Sequence, residues 1–203
     1  MNLQAVGDGA WLLETRDAQE AQRWRMTLVH EDLTGILELI PGFRSLLVSF
    51  DPLIADADGL RRQLERLADL PLAPLQTRRH EFGVHYEGED LAIVAKAANL
   101  TPQDVVDLHT AKVYTVAFLG FAPGFAYLTG LDAALRLPRR ASPRTRVPAG
   151  SVAVADGFTG IYPQATPGGW HILGHSDANL FDVAWEPPAV LAPGDQVCFR
   201  ALS

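Results

Sequence analysis

Three stretches of this chain gather residues that can bind or transform a small polar molecule. The run Arg136-Leu137-Pro138-Arg139-Arg140-Ala141-Ser142-Pro143-Arg144-Thr145-Arg146 places five arginines in eleven residues of a chain whose net charge is −7. Its prolines rule out a helical basic face, so it reads as a cationic loop for a carboxylate, a phosphate or an acidic partner. Upstream, Phe118 to Leu128 follows a strand-like run with a Gly- and Pro-rich turn that draws Phe121, Phe125 and Tyr127 together. Such a turn walls a pocket or plugs one end of a barrel, since aromatics serve both purposes.

The third stretch, Val147 to Trp170, is dense in glycine, which lets backbone amides close on a small anion. It is not a P-loop. The chain contains neither Gly-x4-Gly-Lys-Ser/Thr nor Gly-x-Gly-x-x-Gly, so a nucleotide would not be held in Walker fashion. Ser151 lacks the Gly-x-Ser-x-Gly setting of a hydrolase nucleophile. Beyond it, His175 with Ser176 and Asp182 suits proton transfer, because a histidine beside a carboxylate titrates near neutrality; hydrogen bonding at a strand end is the alternative. His171 and His175 are four apart, but Gly169 and Gly174 argue against a shared helical face, so no metal site is expected. Cys198 reads as a buried structural thiol.

The elements that must position these residues fall into two regions. In the first, Ala10 to Glu14 is strand-like, and Ala18 to Leu33 carries Ala21, Trp24, Leu28 and Val29 at helical spacing. Gly35 to Ile40 and Ser45 to Phe50 form a hairpin about Pro41-Gly42-Phe43-Arg44, and leucines 60, 64, 67 and 70 share one helical face. After a spacer from Pro71 to Gln76, alternation over His80 to Tyr86 marks another strand. The order β-α-β-β-α-β predicts a small ferredoxin-like α/β domain over residues 1–79.

The second region, 80–203, opens with helices over Asp90 to Asn99 and Pro102 to Thr110, the latter with Thr101 as N-cap and Pro102 at the first position. After Tyr114 to Leu119 come short apolar runs broken by Gly and Pro: Ser151 to Ala155, Gly160 to Tyr162, His171 to Leu173, Leu180 to Val183 and Gln196 to Phe199. That pattern is a β-barrel or sandwich, and the whole is an α+β chain. Net negative charge argues against nucleic-acid binding, the longest apolar run falls short of the roughly 20 residues of a membrane helix, and no secretory signal is evident. A cytoplasmic location is the expectation.

Five blocks of residues carry a resemblance. Phe118-Leu119-Gly120-Phe121-x-Pro123-Gly124-Phe125-x-Tyr127-Leu128 is followed by Pro138-Arg139-Arg140-x-x-Pro143-Arg144-x-x-Val147-Pro148-Ala149-Gly150-Ser151-Val152. Then come Thr159-Gly160-x-Tyr162-Pro163-x-Ala165-Thr166-Pro167-Gly168-Gly169-Trp170, Gly174-His175-Ser176 with Leu180-Phe181-Asp182, and Pro193-Gly194-Asp195. In this order they resemble the family of the 5-oxoprolinase B subunit, KipI and allophanate hydrolase subunit 1, the carboxyltransferase subdomains C and D. Ile40-Pro41-Gly42-Phe43-Arg44 extends the likeness to the first region, while the loop Tyr86 to Asp90 is shorter than the family's usual glycine-rich version.

The resemblance implies a small α/β domain followed by a cyclophilin-like β-barrel. It also implies ATP-driven opening of 5-oxoproline to glutamate in a complex with a KipA-like C subunit and an A subunit, or alternatively a KipI-like binder that inhibits a sensor histidine kinase. A prolyl isomerase follows only from fold analogy. For lactam opening through O-phosphorylation of the amide, Arg140, Arg144 and Arg146 are the candidate anion contacts and His175 the candidate base, oriented by Asp182. Phe121, Tyr162, Thr166 and Trp170 are the candidate residues around a compact substrate.

Overall fold

Asp17 sets the start of the first helix: its side chain accepts from the Glu20 amide at 2.8 Å, and Glu20 reaches back to the Arg16 amide at 2.6 Å. The computed structural model describes residues 2–74 and 77–202, so Leu75 and Gln76 of the expected spacer lie outside the described residues. The chain divides into two units, Met1–Gln76 and Thr77–Ser203. No helix among the described residues is long and apolar enough to cross a membrane.

The first unit runs β1 (Leu3–Ala5), β2 (Ala10–Glu14), α1 (Ala18–Glu31), β3 (Ile36–Pro41), β4 (Ser45–Phe50) and α2 (Ala57–Leu67). Its antiparallel sheet has the order β1-β2-β4-β3. Leu60, Leu64 and Leu67 from α2 and Trp24 and Leu28 from α1 pack on Trp11, Leu13, Leu46 and Val48. Val29 and Leu70, expected on the same faces, are exposed; Leu70 lies beyond the end of its helix. The closing strand of a ferredoxin-like sheet is absent from the described residues of this unit. The strand expected at 80–86 belongs to the second unit, and the free edge of β2 is taken by β1 through a local hairpin. Alternation marks a strand but does not name its partner.

The second unit comprises β5 (Arg79–Val84), α3 (Leu91–Ala98), α4 (Pro102–Thr110), β6 (Val113–Leu119), β7 (Ala126–Thr129) and β8 (Arg144–Val147). It continues with β9 (Ser151–Ala155), β10 (Phe158–Ile161), β11 (Thr166–Gly168), β12 (His171–His175) and β13 (Gln196–Ala201). Thr101 caps α4 as expected, and Asp104 completes a capping box with it. Leu180 to Val183 is not a strand; one isolated bridge, Phe181 to Ala189, is all the pairing it makes among the described residues. Cys198 is half-buried on β13, 3.4 Å from an Arg79 Nη, and not sealed in the core.

Seven strands form one sheet in the order β12-β9-β10-β7-β6-β13-β5, with β13 and β5 the parallel pair. The two outer strands then meet. His85, just past β5, exchanges backbone hydrogen bonds of 2.8 and 2.9 Å with His175 at the end of β12, and Gly88 and Asp90 donate to the carbonyls of Leu173 and Ile172. This seam turns the sheet into a nearly closed barrel and uses edge groups that would otherwise be left open. Only glycine fits there: a Cβ on Gly88 would sit 2.3 Å from the Ile172 oxygen, and one on Gly174 2.3 Å from the His85 oxygen.

Asp90 locks the seam. It stands at the N-cap of α3 yet makes no capping bond with its side chain, and it is fully buried. Oδ1 accepts from Arg140 at 2.6 Å and Arg144 at 3.0 Å, and Oδ2 accepts from the Ile172 amide at 2.7 Å. Burial alone would push this carboxyl up, but the hydrogen bonds from Arg144 and Ile172 and the charge of both guanidinium groups outweigh it and hold it below the usual range. The clamp ties the segment carrying both arginines to α3 and β12.

Inside the barrel, His109 is fully buried against Phe199. Thr159 donates to the Ala153 carbonyl, so the hydroxyl accepts from His109 Nε2 at 2.9 Å, and Nδ1 accepts from the Tyr86 hydroxyl at 2.7 Å. Burial pushes the imidazole down to about 3, leaving it neutral. Two consequences are measurable. The unfolded chain takes up a proton on His109 below about pH 6.5, whereas the folded chain does not until about pH 3, so stability falls across that window. Denaturant titrations should show this as a slope approaching about 1.4 kcal/mol per pH unit that His109→Gln flattens. Asp90→Ala, which strands two arginines, should cost about 3 kcal/mol of unfolding free energy by the same method.

Candidate functional site

Strand β9 is buried on both sides, and its alternation divides two cores. Val152 and Val154 face the barrel interior, while Ala153 and Ala155 face an outer cluster built from Phe125, Val147, Tyr162, Trp170 and Ile172. The small alanines leave room for rings. Gly160 on the neighbouring strand does likewise, because a Cβ there would come within 3.3 Å of Phe125 and 3.5 Å of Trp170. Over this outer face lies the two-stranded ribbon of β8 and β11.

Between ribbon and barrel lies a cavity of about 50 Å³ lined by Phe121, Phe125, Tyr127, Arg139, Tyr162 and Trp170, with the backbone of Gly168 and Gly169. Phe125 is the hub, with ring centroids 5.4 Å from Phe121, 5.2 Å from Tyr162 and 5.4 Å from Trp170. These edge-to-face contacts are a favourable geometry for paired rings. Phe121 is different from the rest: it is 59 % exposed and sits at φ 69°, a left-handed conformation that costs a non-glycine residue about 1–3 kcal/mol. Thus Phe121, Tyr162 and Trp170, expected together from the sequence, converge. Thr166 lies outside the lining, on β11, with its hydroxyl buried and unpartnered among the described residues.

The arginines separate. Arg140 and Arg144 were expected to clamp an anion, but Asp90 already holds both, and Arg144 also reaches Glu89 at 3.1 Å. They do not fit a phosphate site within this chain. Arg146 is exposed on β8. Arg139, which no sequence signal singled out, is the guanidinium at the cavity; its Nε donates to Asp156 at 2.8 Å. Adjacent residues on an extended segment point opposite ways, so Arg140 turns to the seam as Arg139 turns to the rings. Nothing local distinguishes the two, since Asp90 and Asp156 are distant in sequence.

His175 stands elsewhere. Its Nε2 lies 3.1 Å from Asp177 Oδ1 in an exposed pair, while Asp182 instead accepts from the Ala184 amide at 2.9 Å. The expected His175–Asp182 pairing is therefore not formed: two residues along an extended chain return to the same side, whereas seven carry Asp182 into a separate turn. His175 opens onto two clefts. One, of about 240 Å³, is shared with His85, Glu87, Glu89 and Ser151, and the other, of about 310 Å³, with Gly150, Ser176, Asp177 and Asn179. Neither shares a lining residue with the aromatic cavity, so the expected base and the expected substrate walls do not form one site.

Comparison with known proteins gives this geometry a family. Residues 1–191 match the carboxyltransferase domain, subdomain C and D. The chain is 39% identical over 202 residues to the 5-oxoprolinase B subunit of Escherichia coli O157:H7, spanning 96% of this chain and 93% of that protein. The crystal structure of TTHA0988 superposes with a TM-score of 0.85 at 36% identity, over 96% of this chain but 40% of that one, so this chain spans well under half of that protein. Kluyveromyces lactis urea carboxylase shares the fold, with a TM-score of 0.77 at 19% identity over 99% of this chain and 22% of that chain. The alternation of helices, sheet and outer ribbon described above is thus that of a known lineage, and the chain belongs to the carboxyltransferase domain, subdomain C and D, family.

Proposed function

We propose that this chain is the B subunit of a 5-oxoprolinase-type complex, acting with the A and C subunits to open 5-oxoproline to L-glutamate with ATP as the driving force. The observation that carries the reading is its likeness, over 93% of that protein's length, to a protein named as the B subunit of 5-oxoprolinase. The aromatic cluster supports it at its mouth: the enclosed space of about 50 Å³ is smaller than a five-membered lactam, so the ring would rest its apolar edge against exposed Phe121 and leave its polar substituents to the rim.

In this reading the chain binds and orients substrate. The ring of Phe121 holds the lactam at the mouth and excludes water from its apolar edge. With Arg140 and Arg144 committed to Asp90, the nucleotide is assigned to the partner subunits. His175, on its separate clefts, is not placed to take a proton from a molecule in the cavity.

Reconstitution tests this. ATP hydrolysis should depend on 5-oxoproline only when this chain is mixed with both partner subunits. Phe121→Ala, at an exposed position, should raise the half-saturating 5-oxoproline concentration about tenfold, the loss of one aromatic wall. His175→Ala should leave that concentration unchanged. A verified complex that hydrolyses no ATP in response to 5-oxoproline would contradict the reading.

A further inference from the structure

Between β12 and β13 the chain makes a closed loop, from Leu180 to Leu191, whose two feet are buried in the barrel core. Val190 donates to the Leu180 carbonyl at 3.0 Å and Asp182 to the Pro188 carbonyl at 3.0 Å, which zips the base of the loop together. At the tip, Asp182 accepts from the Ala184 amide through Oδ1 at 2.9 Å and from the Trp185 amide through its carbonyl at 3.1 Å. Gly124 braces the loop from the side: a Cβ there, at φ 77°, would sit 2.6 Å from the Phe181 Cβ. This bonding fixes the tip without burying it. Val183 is 84 % exposed and Trp185 39 %, and no ring contact or side-chain hydrogen bond engages Trp185 among the described residues. A loop this well tied, with two large apolar side chains turned outward at its tip, offers them to an apolar surface outside the chain at little entropic cost.

The charge around the tip describes that surface. No Lys or Arg occurs from Val147 to Phe199, whereas Asp177, Asp182 and Glu186 lie on the loop or just before it. Among the described residues Asp177 pairs only with His175, and Asp182 and Glu186 have no cationic partner. We propose that this loop is a docking site for a partner protein whose surface offers an apolar pocket to Trp185 and Val183, and arginines or lysines to the surrounding carboxylates. A tryptophan anchor inside a polar rim is the arrangement in which interfaces concentrate their binding energy. A second copy of this chain does not fit the site, because a two-fold interface would set the same three carboxylates against their own copies.

The inference rests on the proposed 5-oxoprolinase-type complex and names the face through which this chain joins it. Because the loop adjoins the turn that carries Phe121 and Gly124, a subunit seated there stands beside the mouth of the aromatic cavity. The full chain is titrated with the A and C subunits, separately and together, by biolayer interferometry, and its self-association is followed by sedimentation velocity. Trp185→Ala should weaken binding to a partner subunit about thirtyfold, the loss of a central aromatic anchor, with little change in melting temperature. Glu186→Lys should weaken it about fivefold and flatten its dependence on salt. Unchanged affinity in Trp185→Ala, or tighter binding by Glu186→Lys, would overturn the docking site. So would self-association that Trp185→Ala abolishes, which would give the loop to a second copy. The two proposals fail separately. A complex that Trp185→Ala weakens but that hydrolyses no ATP in response to 5-oxoproline would sink the oxoprolinase reading alone, and full assembly and turnover with Trp185→Ala would sink the docking site alone. A chain that binds neither subunit would overturn both.

Discussion

Asp90 keeps its charge out of water by accepting hydrogen bonds from Arg140, Arg144 and the Ile172 amide, and three parts of the second unit depend on those bonds. The Ile172 bond fixes the loop from His85 to Asp90 along β12, where the backbone seam closes the barrel. The two arginine bonds hold the start of the ribbon. A buried carboxylate is costly without partners, and here two cations and one amide compensate it, so loss of any one leaves a charge exposed to a low-dielectric interior.

The aromatic cavity follows from that clamp and from the alternation of β9. One face of β9 fills the barrel with valine, and the other uses alanine so that Phe125 and Trp170 can stand upright on the outside. The ribbon then covers the rings and leaves a cavity. Arg140 is pulled to the seam, and its neighbour Arg139 is directed to the cavity rim. A stretch of five arginines thus does two different things: 140 and 144 hold Asp90, and 139 lines the cavity.

Much of this was legible in the sequence. Helical spacing of leucines 60, 64 and 67, the Thr101 cap and the short runs at Ser151 to Ala155, His171 to Leu173 and Gln196 to Phe199 are local signals, and the structure contains them. The turn that carries Phe121 and the glycine-rich stretch ending at Trp170 also pointed to one place, because ring-sized residues among glycines mark close packing. What failed was long-range. Strand β5 looked like the end of the first sheet but pairs with β13, more than a hundred residues on, and only the tertiary register decides that. Asp90 read only as the first residue of a helix, and its arginine partners lie fifty and fifty-four residues away, so its role as the counter-ion of Arg140 and Arg144 has no local trace. The assignment of Asp182 to His175 failed because Leu180 to Val183, read as a short strand, is irregular, and His175 pairs with Asp177.

The barrel's closure and the placing of its cavity rest most directly on the coupling between Asp90 and Arg144. A double-mutant cycle with Asp90→Asn and Arg144→Gln, read as unfolding free energy, isolates that contact. The clamp predicts a coupling of about 2 kcal/mol, with the double variant far less destabilised than the sum of the two single ones. Additive effects, with no coupling beyond experimental scatter, would mean that the carboxylate and the guanidinium do not hold each other, and that something else closes the barrel and presents the cavity.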